Sequence, residues 1–278
     1  MILICDSGST KASWAILGKD VLQEFDTKGL NPLIHDRNQI TEVITDEVIP
    51  KLTSAHTIDR VEFFGAGCNT MGISILEPIL NVLFKCSVLC DSDLVGSAIA
   101  TLGMNEGIVA ILGTGSNSGY FKNGELIFKV PALGYILGDE GSGAYLGKHL
   151  LSDFFKHQIP KDLSDQLALD YNLMESKVIE AVYKIPNANK YLASFAPFLS
   201  KHINETYCLN LVRESFSEFF NRNICNYKTE SPVPLCFTGS IATYFSPILK
   251  EVASDFGFNI ETIEQYPIKG LIKHFKNL

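Results

Sequence analysis

The segment IVAILGTGSNSGYFKNGELIF, residues 108–128, decides the fold. Ile108 to Leu112 is a short apolar run of the kind that forms a buried strand. Gly113-Thr114-Gly115-Ser116-Asn117 follows as a polar, glycine-bearing turn. Gly119 to Lys122 and Glu125 to Lys129 read as two further strands, joined by Asn123-Gly124, a strong hairpin signal. Glycines at a strand end let the backbone approach a ligand closely and present its N–H groups to it. A second glycine-rich turn, Gly138-Asp139-Glu140-Gly141-Ser142-Gly143, follows and leads into an apolar, helix-like stretch. It brings a carboxylate. The two turns together suit a phosphate and a polyol bound side by side. Either one alone also reads as a tight turn with no ligand.

The same meander occurs at the start of the chain. Ile2 to Cys5 reads as a strand, Asp6-Ser7-Gly8-Ser9-Thr10-Lys11 as a polar turn, and Ala12 to Leu17 and Val21 to Phe25 as two more strands. A plain hairpin turn needs only the glycine. This one adds an acid, three hydroxyls and a lysine. Hydroxyls and N–H groups suit phosphate oxygens, and Asp6 suits Mg²⁺ held through water.

Beyond it, Gly29-Leu30-Asn31-Pro32 is a turn, and a helix is expected from Arg37 to Leu52. Asn31 either caps that helix or faces a ligand. The expected order then runs through strand Arg60–Gly65, the turn Gly65-Ala66-Gly67-Cys68-Asn69, helix Met71–Leu83 and strand Cys86–Cys90. Asp91-Ser92-Asp93 opens a helix Leu94–Leu102. An aspartate at a helix start serves as an N-cap. Carboxylates at the C-terminal ends of strands are also where open α/β sheets place their chemistry.

The first part therefore reads β-β-β-α-β-α-β-α, and the meander from Ile108 begins it again, a repeat at domain scale. Residues 143–226 show helical periodicity, enough for five or so helices. Val233–Phe237 is a strand, followed by Thr238-Gly239-Ser240, a helix Ile241–Phe256, a strand Asn259–Thr262 and a helix Ile268–Lys276. Thr-Gly-Ser between strand and helix suits a flat group such as adenine, or serves as a simple βα turn. The expected division is a first lobe of residues 1–105, onto which residues 266–278 pack back. The second lobe is residues 106–265, with the helical part at 143–226 as an insertion.

Composition narrows the function classes. The chain has 278 residues, 46% hydrophobic and 19% charged, which gives ample core material for such an α/β protein. A net charge of −8 argues against general binding to nucleic acid or anionic membrane. A local anion site is still open to it, because backbone N–H groups bind phosphate without net positive charge. The apolar start lacks a basic region and is broken by Asp6, unlike a signal peptide. The seven cysteines are scattered with no C-x-x-C, and no H-E-x-x-H occurs. Reduced core thiols and a cytoplasmic location are expected. No Walker P-loop is present; Gly143 to Lys148 is one residue too short. No strand-borne G-x-G-x-x-G supports a Rossmann site.

Taken in order, D-S-G-S-T-K, G-A-G-C, D-L-V-G-S, G-T-G-S-N with G-D-E-G-S, and T-G-S resemble the sugar-kinase branch of the actin/hexokinase/Hsp70 ATPase superfamily. The nearest group is the N-acetylglucosamine kinases of the BadF/BadG/BcrA/BcrD ATPase family. The resemblance spans the whole chain. It implies a duplicated actin-like, ribonuclease H-like α/β fold of two lobes, with ATP, Mg²⁺ and a sugar meeting in a cleft, and it admits a homodimer. Asp6, Gly8, Ser9, Thr10 and Lys11 match the family's first phosphate motif, with Asp6 holding Mg²⁺ through water. Gly113, Thr114 and Gly115 match the second, and Gly239 and Ser240 the adenosine motif. Asp93 matches the catalytic aspartate. Asn117 and Asp139, with Asn31 and Gly138, match residues that hold the sugar.

The implied reaction is ATP-dependent phosphorylation of an amino-sugar hydroxyl, O6, with N-acetylglucosamine as the first candidate. Glucosamine, N-acetylmuramic acid and anhydro sugars also fit a hydroxyl-binding site. The turn at Gly29–Pro32 is shorter than in the animal enzymes and no tryptophan follows it. The cysteine-rich zinc motif of the ROK kinases is missing. Two other readings belong to the wider family. One is an ATPase activator of a radical 2-hydroxyacyl-CoA dehydratase, which needs exposed cysteines for a [4Fe–4S] cluster. The other is a non-catalytic sugar sensor.

Overall fold

In the computed structural model, residues 1–8, 10–52 and 57–277 are described. Alternation of apolar and polar side chains sets the first sheet. Leu3 and Cys5 of β1 (Ile2–Ser7) face one side and Ile4 the other, all fully buried. β2 (Lys11–Leu17) pairs antiparallel with β1, and β3 (Val21–Lys28) antiparallel with β2. After α1 (Arg37–Val43), β4 (Arg60–Gly65) pairs parallel with β1. After α2 (Thr70–Phe84), β5 (Ser87–Ser92) pairs parallel with β4. α3 (Asp93–Leu102) completes the expected β-β-β-α-β-α-β-α order, and the sheet reads β3-β2-β1-β4-β5.

The second set runs β6 (Gly107–Leu112), β7 (Ser116–Lys122), β8 (Glu125–Phe128), α4 (Gly134–Leu137), α5 (Gly143–Phe155), α6 (Lys161–Tyr171), α7 (Glu175–Tyr183), α8 (Ala188–Ala193), α9 (Ala196–Lys201) and α10 (Thr206–Arg222). It ends with β9 (Leu235–Thr238), α11 (Ser240–Tyr244), α12 (Ser246–Asp255), β10 (Ile260–Glu264) and α13 (Pro267–Lys276). Its sheet order is β10-β9-β6-β7-β8. Read from β8, that is the first sheet's order again. The fold is the duplicated actin-like α/β architecture.

Two compact units result: Met1–Val109 with Phe121–Ile127 and Tyr266–Leu278, and Ala110–Tyr120 with Phe128–Gln265. In the first, Ile40 of α1 and Leu76, Ile79 and Leu80 of α2 join Leu3, Cys5, Trp14 and Phe63 in one core. The buried Trp14 indole donates to Thr27 Oγ1 at 2.9 Å. On the other face α3 and α13 pack together. Gly270 permits this, since a Cβ there would lie 2.2 Å from the Ala100 carbonyl oxygen. The second unit is held by phenylalanines of α10, β9 and α12's flanks, among them Phe216, Phe219, Phe220, Phe237 and Phe245.

Three local expectations are corrected. β1 runs on through Asp6 and Ser7, because both pair with β2 and β4, so the first turn starts at Gly8. The helix from Arg37 leaves α geometry at Ile44 and ends in a wide turn and a 3-10 turn holding Pro50, which has no N–H to donate. The helix expected from Ile241 to Phe256 is two helices, broken at Phe245 ahead of Pro247. The helical part, read as five or so helices, holds six, α5 to α10.

Candidate active site

In the first unit, three parallel strands end in step. Asp6, Phe64 and Asp91 share one row of the sheet, and Ser7, Gly65 and Ser92 the next. Asp93 follows at the first position of α3. The helix cap is Ser92, whose Oγ accepts the Val95 N–H at 3.3 Å. The reading of Asp93 as an N-cap is thereby corrected: α3 starts without needing its carboxylate. Burial, and then the Asp93 charge, push the Asp6 carboxyl up to about 7. Burial also raises Asp91, against the pull of the Ser92 N–H, which donates to Asp91 Oδ1 at 2.6 Å.

A crowded, desolvated carboxylate pair favours a cation beside it. Among the described residues, no group of three or more His, Cys, Asp or Glu side chains stands ready to enclose a metal. The donor set therefore fits Mg²⁺ held by one or two carboxylates, with water and phosphate as the remaining ligands.

The first turn is built by backbone. Gly8 N–H donates to the Lys11 carbonyl at 2.9 Å, and Gly29 N–H to the Thr10 carbonyl at 3.0 Å. A Cβ on Gly29 would lie 2.2 Å from the Gly8 oxygen and 2.6 Å from the Thr10 nitrogen. Sequence reasoning missed Gly29 as a shaping residue; its signal was a glycine directly after the third strand. Ser7 was counted among the turn's hydroxyls, but its Oγ accepts from Leu30 N–H at 2.9 Å and donates to the Leu30 carbonyl at 3.1 Å. It ties the two turns together. Lys11 Nζ sits 2.8 Å from Asp26 Oδ2, across the hairpin, while Gly8 and Thr10 lie exposed. Ser9 lies outside the described residues.

Asn31 is buried in the next turn. Its Oδ1 accepts from Leu33 N–H at 3.0 Å, and its own N–H donates to His35 Nδ1 at 3.2 Å. It does not cap the following helix. Asp36 does, in a reciprocal capping box with Gln39. The Gly65–Asn69 turn lies against Asn31: Gly67, at φ +80°, would put a Cβ 2.0 Å from Asn31 Oδ1.

In the second unit the two glycine-rich turns form one backbone-bonded body. Gly113 N–H donates to the Gly115 carbonyl at 3.0 Å. The first amides of α5, Gly143 and Ala144, donate to the Gly113 and Thr114 carbonyls at 2.8 and 3.0 Å. Asp139 Oδ1 accepts the Ser116 N–H at 3.2 Å, and a Cβ on Gly115 would meet Asp139 Oδ2 at 2.9 Å. Asp139 is buried at a left-handed φ of +58°, a conformation that a non-glycine residue holds only where its surroundings impose it. Burial leads in pushing its carboxyl up to about 6, with the Ser116 N–H opposing. Gly138 passes so near Ala132 that a Cβ would lie 2.3 Å from its carbonyl oxygen. Asn117 lies within β7 rather than in a turn, and its Oδ1 accepts the Ser118 N–H at 3.0 Å.

Gly239, at φ +103°, carries β9 past the end of β6, where a Cβ would lie 2.4 Å from the Leu112 oxygen. Ser240 then opens α11 beside a cavity of about 430 Å³. Ala196, Pro197, Ile241 and Tyr244 are among its walls, and Ser200, Lys201 and Ser240 also line it. That is a slot of the size and character a planar base takes. The helical insertion's share in it, from α8 and α9, was not readable from sequence, because the contact joins segments far apart in the chain.

No protein-family model and no curated protein matches the sequence. Solved structures do. A structure from Porphyromonas gingivalis described as a putative N-acetylglucosamine kinase is 39% identical, with 100% of this chain and 99% of that chain covered and a TM-score of 0.96. One from Chromobacterium violaceum with the same description is 14% identical over 98% of each chain, TM-score 0.70. The ROK hexokinase of Thermus thermophilus is 11% identical over 98% and 96%, TM-score 0.52. The last two speak to the fold alone.

Proposed function

The chain belongs to the N-acetylglucosamine kinase-like family of actin-like ATPases, and on that premise we propose that it phosphorylates O6 of an amino sugar, N-acetylglucosamine first, at the expense of ATP. The description of the 39% identical relative supports sugar-kinase chemistry. The amino-sugar acceptor and its hydroxyl are our reading.

The observation that carries the mechanism is at the end of β5. Ser92 caps α3, Asp93 follows it at the strand end, and the Asp93 charge acts on Asp6. Phosphoryl transfer asks for in-line positioning, charge neutralisation and a group to take the hydroxyl proton. We assign that last role to Asp93. ATP supplies the phosphoryl group, and Mg²⁺ neutralises its charge when bound. Asp6 orients the metal's waters. Gly8, Thr10 and Lys11 offer N–H and hydroxyl groups to phosphate oxygens, as do Gly113, Thr114 and Gly115. Gly239 and Ser240 border the base. Asp139 and Asn117 hold sugar hydroxyls, with Gly138 and Asn31 shaping the turns beside them. The acceptor makes cytoplasmic amino-sugar metabolism the proposed setting.

The dehydratase-activator reading finds no support in the thiols. Cys68, the most loop-like of the cysteines that reading could draw on, is 3% exposed, and burial pushes its thiol up to about 12.

Incubation with ATP, Mg²⁺ and a panel of amino sugars tests the function. ADP release that depends on an N-acetylated hexosamine, with phosphate on O6 by NMR, is the expected result. Release that no sugar accelerates would refute it.

A further inference from the structure

A groove of about 570 Å³ opens in the helical part of the second unit, and none of the residues assigned above lines it. Leu151 and Phe155 of α5 and Val178 of α7 line it. Ile136 and Ile179 also line it, yet are 71% and 48% exposed. Exposed aliphatic side chains gathered round a concavity mark a binding surface rather than ordinary scatter. The charge is one-sided. Lys148 and Lys156 line the groove and no acidic residue does, in a chain of net charge −8. Lys148 is held in place, its Nζ donating to the Tyr135 carbonyl at 3.2 Å and lying 5.2 Å from the Tyr145 ring centre.

We propose that this groove binds a small amphipathic anion, with its apolar body along α5 and α7 and its carboxylate or sulfonate at the two lysines. The volume falls within the range of small-molecule sites, about 300–1,000 Å³. Charge complementarity selects the anion. It also disfavours a second copy of the chain. A two-fold contact sets the same patch against itself, and this patch has lysines but no carboxylate to receive them.

Calorimetry on the full chain with decanoate, and with decanol as the uncharged counterpart, tests the proposal. Decanoate is expected to bind saturably, one per chain, below its micellar range. Decanol should bind about fivefold more weakly, the upper end of what one partly exposed charge pair contributes. Lys156→Glu should weaken decanoate by a similar factor, and Ile179→Asp should abolish its binding, both with unchanged melting temperature. No saturable binding, equal binding of decanol, or indifference to both substitutions would overturn the proposal. So would a wild-type dimer in sedimentation that Ile179→Asp splits, since a second copy would then cover the groove. Neither substitution touches a residue assigned to nucleotide or acceptor, so these outcomes leave the kinase assay unaffected.

Discussion

The Asp93 charge acts on Asp6, and the roles of the two separate by substitution. Ser92 provides the cap of α3, so asparagine at position 93 gives up at most the small helix-dipole contribution of a first-turn carboxylate. Asp93→Asn should therefore fold and bind ATP normally, yet lose about 10²–10⁴ in kcat, the usual contribution of a general base. Normal kcat would remove Asp93 from the chemistry and turn attention to Asp91. Asp6 makes a separate prediction about pH. Its folded value, about 7, lies above the ordinary 3.8, so the fold favours the protonated carboxyl. That contribution is complete below about pH 3.8 and is lost as pH rises through 7. Without ligands, Asp6→Asn should raise stability at pH 8 by on the order of 2 kcal/mol and change it little near pH 4. Thermal melts at both pH values check this. With ligand the sign reverses: Mg²⁺–ATP should bind wild type more tightly as pH rises through about 7, and that step should vanish in Asp6→Asn.

At the scale of turns and strands, the glycines fall into two classes. A Cβ on Gly113 would meet nothing within 4 Å, so Gly113→Val should fold normally and, if the proposed phosphate site is right, lose ATP affinity by filling that space. Gly29 and Gly270 face backbone oxygens at 2.2 Å. Gly270→Ala should cost about 1–3 kcal/mol of stability by forcing α13 away from α3. Denaturant melts and calorimetry with ATP distinguish the classes. Glycine-rich turns were legible in sequence as turns, because glycine and polar residues interrupt apolar runs. Which glycine serves packing and which serves a ligand was not, since that depends on the segment lying opposite. The same limit explains Ser7 and Asn31. Ser7's hydroxyl is engaged by Leu30, twenty-three residues on, and the cap that was one of two readings of Asn31 belongs to Asp36. It also explains β1, which runs on through Asp6 and Ser7 because strands on both sides supply pairing partners.

Over the whole molecule, the repeat was readable because both copies carry the same meander and the same kind of first turn. Two sheets of matching strand order follow from it. The slot proposed for adenosine was half readable: Thr238-Gly239-Ser240 marks it, while the α8 and α9 walls arrive through tertiary folding alone. The acceptor depends on such contacts even more, and motifs leave it open among amino sugars. The central claim is ATP-dependent transfer to an amino sugar with Asp93 taking the proton. Its most direct measurement is the time course of ADP and sugar phosphate, by ³¹P NMR, for wild type and Asp93→Asn with N-acetylglucosamine. The account predicts ADP and N-acetylglucosamine 6-phosphate formed one to one by wild type, and a rate lower by about 10²–10⁴ in a folded, ATP-binding Asp93→Asn. ADP formed without sugar phosphate, or equal rates in the two proteins, would contradict it.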